Sequence, residues 1–188
     1  MRIALIAATL LFNAPAFAQQ TVASPTVLAT PGFQGVIADA GSVYVAGQPT
    51  EAALRELAAK GVTTVISLRT QQEMDNRKAV PFDEAALAKE LGLTYVHVPL
   101  GGPDTPYTPE AVEKVRAAIN SSKGEVLLHC TVGWRASHMW AAYLVKDRNM
   151  SLDDAVKAAS VINLGAYPAA SGNPAPLDGL LGKAPAAN

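Results

Sequence analysis

The chain has 188 residues, 49% of them hydrophobic and 16% charged, and its 15 basic and 16 acidic side chains leave a net charge of −1. That length buries one sizeable core and falls short of two ordinary domains, while the balanced charge gives nucleic acid no electrostatic footprint. A single cysteine excludes an intramolecular disulfide and any cysteine-rich metal site.

Residues 1–18 read as an export signal. Arg2 supplies the positive start, Ile3 to Phe12 form an apolar run, and Ala16-Phe17-Ala18 is a small-residue cleavage site. The run is too short to span a bilayer. The expectation is a periplasmic or secreted protein, cleaved after Ala18, with no stable membrane insertion afterwards. Residues 19–32 read as a linker, residues 33–167 as one globular domain, and residues 168–188, rich in Pro, Ala and Gly, as a loose tail that Leu177, Leu180 and Leu181 could tack to the domain.

Inside the domain, strands and helices alternate. Val43-Tyr44-Val45 reads as a short strand, paired with Val36-Ile37 across the turn 39–42. Thr50 caps a helix that runs to about Lys60, and Gly61 ends it. Val62 to Leu68 is β-branched and apolar, a buried strand. Residues 82–91 suit a helix and Leu93 to Pro99 the next strand. Thr108-Pro109-Glu110 opens a helix with a cap, a first-turn proline and an acid at the positive end. Glu125 to His129 is the third core strand, Arg135 to Lys146 a helix, and Ser151 opens a last helix ending near Val161. This order predicts an α/β fold of three layers, α/β/α, around a mostly parallel sheet. Binding sites in such sheets lie beyond the carboxyl ends of the strands, here Arg69, Leu100 and Cys130.

The loop His129-Cys130-Thr131-Val132-Gly133-Trp134-Arg135 stands at one of these ends. Amides of a strand-to-helix turn and of the first helical turn lack internal partners and create positive potential. Such a cradle favours a thiolate and can hold a tetrahedral oxyanion, Gly133 allows close backbone approach, and Arg135 offers a planar fork for two oxygens. Nucleophile, amide cradle and arginine are the parts that covalent attack on phosphorus requires. Thr131, Val132, Gly133, Trp134, Arg135 and Ser137 are the candidate substrate-binding residues, with Arg69 as a further anion ligand partnered by Glu73 or, equally, a surface ion pair. His97 reads as a satisfied core histidine, and His138 could face either way. The histidines have no metal-ligand spacing, so neither metal nor cofactor is expected.

VYVAGQPT (43–50), GVTTVISLR (61–69) with Glu73, LGLTYVHVPL (91–100) and HCTVGWRASHMWAAYL (129–144) together resemble the cysteine-based, dual-specificity-like phosphatase superfamily and, within it, the bacterial beta-lactamase-hydrolase-like phosphatases. The resemblance implies a phosphorylated protein or small molecule as substrate, Cys130 as nucleophile forming a phosphocysteine, Arg135 as phosphate ligand, and His129 as the residue that orients and tunes the thiolate. It also implies an acid in the loop 101–106, where Asp104 is the one carboxylate; a solvated turn aspartate is the alternative. Two positions depart from the superfamily pattern. Four residues rather than five separate Cys130 from Arg135, as in rhodanese sulfurtransferases, and Ala136 follows Arg135 where a hydroxyl assists thiolate departure, leaving that task to Ser137. A persulfide-carrying sulfurtransferase and a catalytically weak oxyanion-binding domain therefore stand beside the phosphatase.

Overall fold

A computed structural model describes residues 24–165 and 176–183. The signal segment 1–18 lies outside the described residues. Six strands form one sheet in the order β1-β2-β3-β6-β4-β5: β1 (Thr26–Val27), β2 (Ile37–Asp39), β3 (Val43–Ala46), β4 (Val62–Ser67), β5 (Thr94–His97) and β6 (Glu125–His129). The pairs β1·β2 and β2·β3 are antiparallel, and β3·β6, β6·β4 and β4·β5 are parallel. The α/β architecture expected from the order of elements is the one observed.

Alternation along the strands divides the core in two. Val126 and Leu128 of β6 face one layer and Leu127 the other. On the first face lie α4 (Pro109–Ser121), α5 (Trp134–Asp147), α6 (Leu152–Ser160) and α7 (Pro176–Leu181); on the second, α1 (Glu51–Ala59) and α3 (Glu84–Glu90). Covered on both faces, the central strands are apolar almost throughout, which is why 62–68 reads as a continuous run. Residues 136–144 of α5 are all buried, because α4, α6, α7 and the sheet surround that helix.

Helix starts follow their sequence signals. Thr50 accepts from the Ala53 amide, Thr108 from Ala111 with Pro109 in the first turn, and Ser151 from Asp154. Among the described residues two helices go unread in the sequence, α7 in the tail and α2 (Gln71–Asp75), which opens on a reciprocal capping box between Thr70 and Glu73. The pattern Thr-x-x-Glu was the available signal.

Two segments depart from expectation. The stretch 19–32 contributes edge strand β1, with Thr26 opposite Asp39, and is not wholly linker. Part of the expected loose tail is α7, whose Leu177 and Leu180 are fully buried against α4 and α5. Leu177 and Leu180, three apart, are two of the leucines expected to tack the tail to the domain; the helix that carries them was not expected.

Candidate active site

The carboxyl ends of β4, β5 and β6 converge as the strand order predicts. The Leu68 amide donates to the His129 carbonyl at 2.9 Å, and the Leu100 amide to the Leu68 carbonyl at 3.1 Å. Cys130 follows β6, is 1% exposed and belongs to the larger core cluster. Gly133 caps α5 with φ +90°, and a Cβ there would drive into Val36, so conformation and space both require glycine. The amides of Trp134, Arg135 and Ala136 begin α5 and have no acceptor within the helix.

Arg135 is held from several sides. Its Nη1 donates to Glu73 Oε2 at 2.8 Å and to the carbonyls of Leu100 at 2.7 Å and Leu68 at 3.3 Å. Its Nη2 donates to Glu73 Oε1 at 2.6 Å and Thr131 Oγ1 at 2.9 Å. Thr131 in turn donates to Glu73 Oε1 at 2.8 Å. Burial disfavours the Glu73 charge, but the guanidinium, the Thr70 amide and the Thr131 hydroxyl outweigh it and bring the carboxyl to about 2. Burial likewise opposes the Arg135 charge, and Glu73 reverses that, raising its pKa. The carboxylate expected to partner Arg69 is thus the bidentate partner of Arg135, with Arg69 Nε 4.0 Å away. The capping box aims Glu73 across the strand ends, so the expected Arg69 pairing is present at the longer distance and a second, tighter one to Arg135 joins it.

Arg69 is no surface ion pair: it is 2% exposed, and burial lowers its pKa. It donates from Nη1 to Gln48 Oε1 at 2.8 Å and from Nη2 to the Glu73 carbonyl at 3.3 Å, while its Nε–H is buried without a partner.

His129 is fully buried, its Nε2 2.9 Å from Glu84 Oε1 and its Nδ1 3.4 Å from the Cys130 carbonyl, so the ring engages the backbone of the loop rather than the sulfur. Ser137 is buried and donates to the Gly133 carbonyl at 2.8 Å. Its hydroxyl is committed to its own helix, against the expectation that it assists the thiolate; the i−4 carbonyl is the nearest acceptor for a helical serine. The Val132 carbonyl accepts from Asn163 Nδ2 at 2.8 Å and its side chain is exposed. His138 faces its own helix, bonded to the Trp134 carbonyl, and His97 bonds the Arg69 carbonyl at 2.7 Å as a satisfied histidine.

A cavity of about 570 Å³ opens over this centre, lined by Arg135, Glu73, Asp104, Tyr107, Trp134 and the 101–105 turn among others. Asp104 is exposed at its rim, and Trp134, at 40% exposure, is a rim residue rather than a core one. Tyr107 was not a sequence candidate. Its wall is backed by α7: a Cβ on Gly179 would lie 2.6 Å from the Tyr107 carbonyl oxygen. Alanine in an unconstrained helix gains up to about 1 kcal/mol over glycine. Here the clash reverses the sign, and Gly179→Ala is expected to lose about 1–3 kcal/mol in thermal or urea unfolding; unchanged or increased stability would mean α7 does not press on this wall. Among the described residues no group of three His, Cys, Asp or Glu side chains could hold a metal ion.

A cysteine between a parallel strand and a glycine-capped helix, with an arginine in the first helical turn, defines a phosphatase-like domain of the cysteine-dependent class. The chain belongs to the family described as beta-lactamase hydrolase-like protein, phosphatase-like domain, whose model matches residues 35–147. It is 33% identical over 110 residues to the beta-lactamase hydrolase-like proteins of Xylella fastidiosa strains Temecula1 and 9a5c, covering 58% of this chain and 25% of theirs. The chain therefore matches about a quarter of the length of these curated relatives. A DUF442 protein of Shewanella putrefaciens is similar at 28% identity and a TM-score of 0.51, covering 67% of this chain and 76% of that one. The fold is shared with Tk-PTP in its active form (23% identity, TM-score 0.57, 69% and 84% covered) and with PTPMT1 in complex with PI(5)P (20%, 0.61, 74% and 88%).

Proposed function

We propose that the protein is an exported cysteine-dependent phosphatase that hydrolyses a phosphomonoester in two steps. The Cys130 thiolate attacks phosphorus, the S–P bond forms as the ester O–P bond breaks, and Asp104 gives its proton to the leaving oxygen. Asp104 then takes a proton from water, water attacks phosphorus, and the S–P bond breaks to return thiolate and inorganic phosphate. The Arg135 Nε–H and the first amides of α5 stabilise the charge on the transferring group. The observation that carries this reading is the anchoring of Arg135, in the first turn of the helix that follows Cys130: a carboxylate and two strand-end carbonyls hold it in the wall of a cavity that Asp104 also lines. Export rests on the pattern of residues 1–18, and an amino terminus at Gln19 on protein recovered from the periplasm or medium would support it.

A second reading, transfer of sulfane sulfur, is favoured by one specific observation. The terminal nitrogens of Arg135 are already occupied by Glu73, Thr131 and carbonyls, which leaves the Nε–H alone for a ligand. A phosphoryl dianion calls for a fork; a persulfide monoanion needs fewer donors. In that reaction the thiolate takes the outer sulfur of thiosulfate, releases sulfite, and passes the sulfur to cyanide. Mass spectrometry of acid-quenched protein decides: a phosphoryl group on the Cys130 peptide after an aryl phosphate supports the first reading, one added sulfur after thiosulfate the second.

Under the phosphatase reading, Asp104→Asn slows alkyl phosphates about 10²–10⁴-fold and activated aryl phosphates far less, since a phenolate of low pKa leaves without a proton. Equal losses on both substrates, or none, would remove Asp104 from the mechanism.

A further inference from the structure

Behind Cys130 lies a buried carboxylate that the mechanism does not use. Glu84 stands in the first turn of α3 and is 1% exposed. A buried ion is unfavourable unless paired and hydrogen-bonded, and Glu84 is fully engaged. Oε1 meets His129 Nε2 at 2.9 Å and Oε2 accepts from Gln48 Nε2 at 2.5 Å. Burial opposes the Glu84 charge, and the charge and hydrogen bond of His129 with the hydrogen bond of Gln48 outweigh it and hold its pKa below the ordinary value. Gln48, 5% exposed, then uses its other end, Oε1, to accept from Arg69 Nη1 at 2.8 Å.

The amide cannot turn over. Its NH₂ must face a carboxylate and its oxygen a guanidinium, so the charges at both ends fix its orientation. One carboxylate therefore reaches two groups at neighbouring strand ends: His129, whose other nitrogen approaches the Cys130 carbonyl, and Arg69 at the end of β4, whose buried Nε–H has no hydrogen-bond acceptor. A further function of Glu84 as a fold-stabilising ion pair alone would not require the second arm through Gln48.

We infer that Glu84, with Gln48 as its relay, is the positioning residue of the Cys130 centre: it orients His129 beneath the nucleophile loop and Arg69 at the neighbouring strand end, so that the buried Arg69 Nε–H, which has no hydrogen-bond acceptor, is held for the anion that forms or binds there. The inference rests on Cys130 as the reacting thiolate and holds for either group it transfers.

The test separates the two arms. Glu84→Gln keeps the shape but offers one acceptor oxygen to two donors, so at least one arm breaks. Gln48→Leu breaks only the Arg69 arm. Hydrogen peroxide is small enough to reach a buried thiolate and reports its reactivity without any ester substrate. Cys130 is expected to oxidise about tenfold more slowly in folded Glu84→Gln, with a smaller loss in Gln48→Leu. The downfield, slowly exchanging ring N–H resonance of His129 weakens in Glu84→Gln and persists in Gln48→Leu. Oxidation within about twofold of wild type in folded Glu84→Gln would overturn the inference. Should that variant not fold, Gln48→Leu and the wild-type spectrum carry the test: unaltered oxidation in the first, or no protected His129 resonance in the second, overturns it. Turnover of an aryl phosphate by the wild type, measured in parallel, keeps failure of the phosphatase reading apart from failure of the relay.

Discussion

Cys130→Ser is expected to lower turnover at least about 10⁴-fold while the protein stays folded and still binds inorganic phosphate. A serine hydroxyl is not ionised by an amide cradle near neutral pH, so the nucleophile disappears. The groups that hold the anion do not: Arg135 keeps its anchors on Glu73 and the Leu100 carbonyl, and the first amides of α5 stay in place. Cys130 packs in the larger core cluster at 1% exposure, so a buried hydroxyl there costs about 1–3 kcal/mol if it finds no acceptor. Steady-state kinetics on an aryl phosphate and on thiosulfate with cyanide, together with calorimetry of phosphate binding, check all three parts. Normal turnover of either substrate by a folded Cys130→Ser protein would end the covalent mechanism under both readings.

The second large effect belongs to Glu73. Glu73→Gln turns an NH₂ group toward the guanidinium of Arg135, donor against donor, and removes the charge that the Thr70 amide and Thr131 hydroxyl also share. A fall of this carboxyl from 4.5 to about 2 corresponds to roughly 3 kcal/mol, reduced by solvent because the side chain is 31% exposed. The direction with pH follows from the depressed value. The native charge contributes in full above the unfolded carboxyl's pKa of 4.5 and is lost as pH falls from there through about 2. Wild type should therefore exceed Glu73→Gln by about 2–3 kcal/mol at pH 7 and by almost nothing near pH 2. Denaturant unfolding at the two pH values measures this, and a gap of the same size at both would show that the pair contributes no charge-dependent stability. At pH 7 the variant should also lose about 10²-fold or more in kcat/KM, because Arg135 is no longer held under the cavity.

The cysteine loop was legible because it is local. Cys130, Gly133 and Arg135 stand within six residues at a strand-to-helix junction, and the strand order dictates which end of the sheet they occupy. Helix starts at Thr50, Thr108 and Ser151 were equally plain, since a cap is a contact between residues three apart. Glu84 was hidden for the opposite reason. In sequence it is an acid in a first helical turn, where a solvated charge is ordinary, and only the packing of α3 on the sheet buries it against His129, 45 residues away. The second partner of Glu73, the distant Arg135 beside the neighbouring Arg69, is of the same kind.

The amino-acid sequence by itself determined the α/β order, the parallel centre of the sheet, and the strand ends at which the loop of Cys130 and Arg135 stands, because each follows from periodicity, β-branching, caps and a short motif. Only the tertiary structure decided which charges meet. It turned the Arg135 fork onto Glu73, Thr131 and the strand-end carbonyls, committed the Ser137 hydroxyl to its own helix, joined Glu84 through Gln48 to Arg69, and laid α7 against the Tyr107 wall. A charged or polar side chain reads alike in sequence whether it is solvated or buried. Its partner is settled by desolvation, which leaves a buried charge no favourable state except beside the particular groups the fold brings within hydrogen-bonding distance.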